Sequence, residues 1–154
     1  MTGSLRIVRP VGSGDETFIE IREDGAITAF NGHVDLGTGI GTALTQIVAE
    51  ELDVGFDRVR IGLGDTSRTP NQGATIASET IQITAIPLRK AAAQARHFLL
   101  ARAATRLELP VEQLTVSDGL IRGNDNRSVS YGELIAGDTI RLELADDVTV
   151  KAVD

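Results

Sequence analysis

A glycine-rich segment separates a predicted β-hairpin from a predicted helix. Four glycines fall within residues 32–41, so the backbone there must bend tightly or approach another group closely. Before this segment, residues 17–22 and 26–31 have strand character and are joined by a short turn at Asp24-Gly25, which predicts a hairpin. After it, apolar residues recur at helical spacing: Ile40, Ala43, Leu44, Ile47, Val48 and Leu52.

A second polar loop, residues 64–75, also precedes a predicted helix. Long loops of this kind often carry function. Pro87 predicts a kink or a late start in the helical stretch that follows, over about residues 78–107. Thr75 and Ser78 are its candidate N-caps. Apolar residues repeat along it every three or four positions: Ile81, Ala85, Leu88, Ala92, Ala95 and Leu99.

The remaining segments complete an α+β prediction. Residues 58–63 and 114–117 have strand character, and Ser130 is the candidate cap of a short helix. Only 3% of the residues are aromatic, so aliphatic side chains must fill the core. We predict a small, mostly antiparallel sheet with two main helices packed on one face. An N-terminal arm is expected over residues 1–16, one α+β domain over 17–137 and a C-terminal strand or tail over 138–154.

Charge and composition exclude several classes of function. The net charge of −7 disfavours nucleic acids and anionic membranes, which attract basic surfaces. The chain has no cysteine and therefore supplies no ligand for an iron–sulfur cluster and no disulfide. No leader peptide or membrane-spanning segment is recognisable. We expect a cytoplasmic protein without membrane insertion, and a periplasmic location stays open.

The two loops are candidate anion sites. Helix N-termini present unpaired N–H groups and the positive end of the helix dipole, and a preceding glycine-rich loop can turn them towards an anion. A pterin with a phosphate tail, a nucleotide or a sugar phosphate would each suit two such loops. Simple tight turns explain the glycines equally well. The spacing of Gly37, Gly39 and Gly41 matches neither a P-loop nor a dinucleotide fingerprint.

Individual polar residues have structural roles in our interpretation. Asp35 and Asp65 are expected to pin their loops by accepting backbone N–H groups. His97 is expected at the helix surface or in packing, and a site role for His33 is the minority interpretation. Ser78 has no histidine and carboxylate readable beside it, which argues against a serine nucleophile. The arginines of the long helix are expected in solvent or paired with acidic residues, with a subunit interface as the alternative: Arg89, Arg96, Arg102 and Arg106.

Longer stretches of sequence resemble the molybdopterin-binding large subunits of molybdenum hydroxylases, the xanthine dehydrogenase and aldehyde oxidase family. The resemblance begins at Gly32-His33-Val34-Asp35-Leu36-Gly37-Thr38-Gly39 and continues through Thr69-Pro70-Asn71-Gln72-Gly73-Ala74-Thr75 and Ala77-Ser78. It extends to Tyr131-Gly132-Glu133-Leu134 and covers most of residues 17–137. The Asp-Leu-Gly-Thr-Gly form is most similar to the isoquinoline and nicotinate dehydrogenase branch.

This resemblance implies a cofactor and the residues that hold it. Relatives bind molybdenum through a pterin dithiolene, in bacteria often as the cytosine dinucleotide. Thr38 stands where many relatives place a glutamine beside the metal's oxo group, and Gly37 and Gly39 would let the backbone approach. Further along, the resemblance assigns backbone and hydroxyl groups near the pterin and its phosphate to Gly73, Ala74, Thr75, Ala77, Ser78, Glu79 and Thr80. It assigns no protein ligand to the metal and no catalytic residue.

The resemblance also implies that this chain works with other segments. Family large subunits are longer and carry a Gly-Gly-Phe-Gly segment and a catalytic glutamate in a Val-Gly-Glu motif, and neither motif is present in this sequence. We therefore expect part of an oxidoreductase that hydroxylates N-heterocycles or aldehydes and is inactive alone. The cofactor would be shared with the remaining large-subunit segments, an iron–sulfur subunit would accept electrons, and a homo-oligomer is also compatible. The alternatives are a non-enzymatic interaction or assembly module that kept the fold, and a nucleotide-phosphate binder.

Overall fold

The larger sheet has five strands and a mixed hydrogen-bonding pattern. A computed structural model describes residues 2–152. The strands of this sheet are β1 (Ser4–Val11), β2 (Gly14–Arg22), β3 (Ile27–Asn31), β4 (Val59–Leu63) and β8 (Thr139–Glu143). Their order is β4-β3-β2-β1-β8, in which β1 and β3 each pair antiparallel with β2, whereas β3–β4 and β1–β8 are parallel.

Two main helices cover one face of this sheet, as the sequence predicts, and a second antiparallel sheet completes the fold. The helices are α1 (Ile40–Leu52) and α2 (Ala85–Leu107). The second sheet comprises β5 (Leu114–Ser117), β6 (Leu120–Gly123) and β7 (Ser128–Ser130) in that order, and it leads into the short helix α3 (Tyr131–Ile135). The α+β class is confirmed, and the larger sheet is mixed rather than mostly antiparallel.

Alternation along the strands directs aliphatic side chains into the core. Leu5 of β1 pairs with Ile21 of β2, and Ile21 pairs in turn with Ile27 of β3. All three side chains are buried against the helices, where Leu88 is among the core residues of α2. Such cross-strand pairs stabilise a sheet because neighbouring side chains pack on one face. Aliphatic side chains thus dominate the core, as the low aromatic content predicts.

The N-terminal segment differs from its prediction. Residues 1–16, expected to form an arm or loop, instead contribute β1 and the beginning of β2; Met1 lies outside the described residues. A bulge between Ile7 and Val8 shifts the register against β2. Because the bulge interrupts the alternation of buried and exposed positions, the strand pattern in the sequence covers only a few residues.

The start of the long helix also differs from its prediction. Residues Thr80–Thr84 form a π-helical turn, and α2 proper begins at Ala85. Pro87 therefore lies in the first turn of α2, directly after the π-helical turn, so the late start of the α-helix is confirmed. Thr75 and Ser78 do not cap the helix, since the residue before α2 is Thr84 and it makes no side-chain cap bond. The capping prediction at Ser130 is correct: Ser130 and Glu133 form a reciprocal capping box.

Residues 144–151, here called the C-terminal strap, follow β8 and lie along α2. The Lys90 ammonium donates to the Asp146 carbonyl at 2.9 Å, and the Arg89 guanidinium donates to the Lys151 carbonyl at 2.8 Å. The Lys151 N–H in turn donates to the carboxylate of Glu51 on α1, a side chain that is only 1% exposed. The strap therefore ties the two main helices together. Residues 153 and 154 lie outside the described part of the chain.

Candidate functional site

The first candidate loop, between β3 and α1, is built around the Asp35 carboxylate. Its Oδ1 accepts the N–H groups of Gly37 at 2.9 Å and Thr38 at 3.0 Å, and a weaker one from Gly39 at 3.3 Å. Its Oδ2 accepts the N–H of Gly41 at 3.1 Å. The N–H groups of Gly41 and Gly37 hold the pKa of this carboxyl below its ordinary value. The prediction that Asp35 pins the loop is confirmed.

This arrangement changes the expected role of the first loop. The N–H groups that would have cradled a ligand anion in front of α1 already bind the chain's own carboxylate. Gly37 and Gly39 have positive φ values of 90° and 80°, a conformation that glycine adopts without steric cost. These glycines therefore wrap the backbone around Asp35. The anion cradle predicted at this loop is internally satisfied.

A carboxylate also organises the second loop. Asp65 Oδ1 accepts the N–H of Ser67 at 2.9 Å and its hydroxyl at 2.6 Å. Hydrogen bonds from the Ser67 hydroxyl and then from the Ser67 N–H lower the pKa of Asp65 below its ordinary value. The Asp65 carbonyl accepts the N–H of Thr69 at 2.7 Å. The loop-pinning prediction holds here too, so neither carboxylate is available as a free base.

The second loop ends in two consecutive residues with left-handed backbone. Ala77 has φ 51° and Ser78 has φ 59°, and neither is glycine. Left-handed conformations at residues with a Cβ cost roughly 1 kcal/mol or more each and cluster at ligand sites and switch regions. The π-helical turn follows directly, and such turns are also frequent at functional sites. Two consecutive left-handed residues thus lie within the predicted cofactor segment from Ala77 to Thr80, and the π-helical turn begins at its last residue.

A buried polar network joins the two loops. Asn31 at the end of β3 donates to the Thr84 carbonyl and hydroxyl, at 3.3 and 3.2 Å, and accepts the N–H of His33 at 3.0 Å. The Gln72 side chain bridges the same elements, donating to the Thr84 carbonyl at 3.1 Å. His33 is fully buried and bonds Thr80. No local pattern pointed to Asn31, Gln72 or Thr84, because the bonds join residues far apart in the chain.

Close backbone approach completes the junction of the loops. A Cβ placed on Gly32 would lie 2.0 Å from the carbonyl oxygen of Pro70. The Gly32 N–H donates to the Gln72 side chain at 2.8 Å. Only glycine permits this contact. Gly32 therefore fixes the spacing between the two loops, which is a more specific role than a tight turn.

An open cleft of about 480 Å³ lies between the first loop and the segment from Thr75 to Gln82. Five predicted cofactor residues line it: Thr38, Thr75, Ala77, Ser78 and Thr80. Five others do not: Gly37, Gly39, Gly73, Ala74 and Glu79. Sequence reasoning missed the apolar part of the lining and one amide: Val34, Leu36, Ile40, Ile76, Ile81 and Gln82. The cleft therefore combines aliphatic walls with hydroxyl and amide groups, the usual composition of a small-molecule site.

Exposed aliphatic side chains extend from the cleft. We call Leu36, Ile76, Ile81, Ile83 and Ile86 the apolar rim; they are 71%, 60%, 42%, 55% and 51% exposed. Ile81 was expected in the buried stripe of the long helix. It is exposed because the π-helical turn contains more residues per turn than an α-helix and so shifts the side-chain positions before Ala85.

The arginines of α2 are paired. Arg89 bonds Glu51, Arg96 bonds Asp53 and Arg102 bonds Asp138, at 2.7, 2.7 and 2.8 Å. Arg106 donates to the Glu133 carbonyl at 3.0 Å. The first three arginines match the prediction that acidic residues pair with these side chains. His97 is exposed on α2, as expected.

Residues 2–152 contain neither a protein metal centre nor a helical membrane span. No group of three or more His, Cys, Asp or Glu side chains in this range is arranged to hold a metal ion. No helix in it is long and apolar enough to cross a membrane.

The fold and the loop-bounded cleft define an α+β domain with an open cleft of mixed aliphatic and polar lining. The fold matches that of a chain in the reconstituted CO dehydrogenase from Oligotropha carboxidovorans, with a TM-score of 0.66 and 23% identity over 86% of this chain and 18% of that one. The chain belongs to the molybdopterin cofactor-binding domain family, whose model matches residues 3–153.

Sequence relatives agree with this assignment. The chain is 56% identical over 137 residues to a subunit of nicotinate dehydrogenase from Pseudomonas putida, covering 89% of this chain and 12% of the relative. It is 35% identical over 143 residues to the beta subunit of isoquinoline 1-oxidoreductase from Brevundimonas diminuta, covering 88% and 18%. The resemblance to the isoquinoline and nicotinate dehydrogenase branch is confirmed. The chain spans less than a fifth of the length of these relatives.

Proposed function

We propose that the cleft holds part of a molybdopterin cofactor and that the chain acts within a molybdenum hydroxylase that oxidises N-heterocycles or aldehydes. The observation that carries this is the convergence of the cleft and the strained Ala77-Ser78 segment at residues that the family resemblance assigns to the cofactor. When bound, the cofactor would supply the metal and its redox chemistry. The chain's own residues would bind and orient the pterin.

The lining fits this group. A pterin is a flat heterocycle with polar edges, and the cleft offers aliphatic side chains such as Ile76 and Ile81 beside the hydroxyls of Thr38, Ser78 and Thr80. The five predicted cofactor residues that do not line the cleft, such as Gly37 and Gly73, would act indirectly by shaping the loops around it. Thr38 would contact the group through its hydroxyl, because its N–H is bound to Asp35. The first loop would not hold the phosphates of a cytosine dinucleotide tail on the cofactor, because its N–H groups are already engaged.

The apolar rim supports a shared site. Ile76, Ile83 and Ile86 are more than half exposed beside the cleft, and contiguous exposed aliphatic side chains mark contact surfaces. We propose that further large-subunit segments cover the rim and close the cleft, and that an iron–sulfur subunit accepts the electrons. The catalytic base would come from those segments, so the chain alone would be inactive. A cytoplasmic location is consistent with this assembly.

Metal analysis by mass spectrometry tests the proposal on the chain purified alone and after co-expression with its neighbouring genes. Gln82 is exposed and lines the cleft, so Gln82→Trp should fill the cleft and reduce molybdenum in the complex at least about tenfold. Gln113→Trp, at an exposed glutamine outside the cleft, is the matched control and should retain the metal. Molybdenum retained by Gln82→Trp would place the cofactor elsewhere. A folded wild-type chain without molybdenum in either preparation would favour a non-enzymatic module.

A further inference from the structure

His33 uses both ring nitrogens while fully buried. Its Nδ1 lies 2.7 Å from the Thr80 hydroxyl oxygen and its Nε2 lies 3.2 Å from the Gln72 carbonyl oxygen. Its backbone N–H is held by Asn31. The ring therefore cannot rotate without breaking contacts to both the second loop and the π-helical turn.

These contacts select one tautomer of the neutral ring. A carbonyl oxygen only accepts hydrogen bonds, so the Nε2 facing Gln72 must carry the proton. The Nδ1 of the neutral ring is then an acceptor, and the Thr80 hydroxyl must donate its only proton to it. Thr80 Oγ1 retains lone pairs and has no proton left to donate.

We propose that His33 makes Thr80 an acceptor-only contact in the cleft and so a specificity-determining residue for the ligand. This rests on the proposed function, since Thr80, which is buried with 4% of its surface exposed, borders the cleft assigned to the cofactor. A ligand group that reaches the Thr80 oxygen must bring an N–H or O–H, such as the N–H edge of a pterin. A phosphate or metal-oxo oxygen at the same position would face lone pairs and be repelled. His33 is a positioning residue because it acts through Thr80.

The neighbouring first loop reinforces this polarity. Its N–H groups are bound to Asp35, so that carboxylate adds negative charge rather than free donors. The first loop therefore offers no free N–H group from Gly37, Thr38 or Gly41 to an anionic end of the ligand. A ring edge that carries N–H groups, such as that of a pterin, is favoured beside Thr80.

The tautomer is measured directly by NMR on the wild-type chain with isotope-labelled histidine nitrogens. The chain has two histidines, and His97→Gln, at an exposed position on α2, assigns the His33 signals. We expect the Nε2-protonated tautomer, with Nδ1 accepting from the Thr80 hydroxyl. An Nδ1-protonated ring or an imidazolium would overturn the inference, because either would leave the Thr80 proton free to donate.

Ligand selectivity gives a second, independent readout. The fluorescent parent compound pterin and inorganic phosphate are titrated into the wild-type chain, Thr80→Ser and Thr80→Val. We expect Thr80→Val to weaken pterin binding about fivefold, the size of one neutral hydrogen bond, with Thr80→Ser close to wild type and phosphate affinity not reduced.

The outcomes separate this inference from the proposed function. Pterin binding that is unchanged in Thr80→Val, or phosphate binding that falls in parallel, would overturn the inference alone. Failure of the co-expressed complex to retain molybdenum, with His33 in the expected tautomer, would count against the proposed function. Thermal denaturation of each variant shows whether the fold is retained, and the wild-type tautomer measurement does not depend on any variant.

Discussion

Replacing Asn31 by alanine should destabilise the domain by about 3 kcal/mol. The Asn31 side chain is fully buried and makes hydrogen bonds of 3.0, 3.2 and 3.3 Å to His33 and Thr84. A buried hydrogen bond contributes about 1 kcal/mol, and its loss leaves the former partner unsatisfied. Three such bonds give the estimate of about 3 kcal/mol. A much smaller loss of stability is not expected, because the former partners of Asn31 would be left unpaired in the interior.

Urea unfolding followed by circular dichroism measures this loss. With a denaturant slope of about 2 kcal/mol/M, typical of small domains, the midpoint should fall by about 1.5 M without a change in slope. Asn124→Ala is the matched control, because Asn124 is exposed and its amide bonds only the exposed Gln113 side chain. Asn124→Ala should change the free energy of unfolding by no more than about 0.5 kcal/mol. A loss below about 1 kcal/mol for Asn31→Ala would refute the argument that this network holds the two loops together.

Three further perturbations test other contacts. Gly32→Ala forces a Cβ against the second loop and should cost about 1–3 kcal/mol by denaturation, whereas Gly14→Ala, with open space around its Cβ, should be near neutral. Since the pKa of Asp35 is lowered in the folded chain, its contribution to stability is present above the ordinary carboxyl pKa of about 4 and is lost as pH falls from there through the lowered pKa. The protection of the loop amides, taken as the ratio of the intrinsic to the observed exchange rate at each pH, should fall over that range, and unchanged protection would contradict this. Tyr131→Phe removes the buried 2.6 Å hydrogen bond to the Leu52 carbonyl and should cost about 1–2 kcal/mol in thermal unfolding, so a neutral effect would count against that bond.

Periodic segments were predictable because their signals are local. The hairpin that became β2 and β3 and the stripe of α1 both follow from spacing within a few residues. The parallel pairs β3–β4 and β1–β8 leave no such local trace, because each joins segments separated by a helix or by most of the chain. The mixed character of the sheet was therefore missed for a topological reason.

The site was predictable in its location and less so in its chemistry. Glycine spacing and the family resemblance indicated the two loops, and the structure brings Thr38, Ser78 and Thr80 to one cleft. The first loop is one of the two candidate anion sites, and Asp35 within the same loop satisfies its N–H groups. A glycine pattern before a helix indicates that backbone N–H groups lie close together. It does not show which acceptor those N–H groups bind.

The π-helical turn illustrates a third limit. An apolar residue at Ile81 fits the stripe of a regular α-helix, and nothing in the sequence signals that Thr80–Thr84 is wound differently. The result is an exposed isoleucine beside the cleft in place of a buried one. Local winding depends on tertiary contacts such as those of Thr84 with Asn31.

The pairing of β1 with β8 has a consequence for synthesis of the protein on the ribosome. Ser4 pairs with Thr139, so one edge of β1 stays without a partner until residue 139 and the rest of β8 have been translated. An unpaired strand edge invites association with other chains, and contacts between distant segments form slowly. We expect nascent or truncated forms that end before residue 139 to depend on chaperones and to aggregate, even though most of the core residues are already present in them.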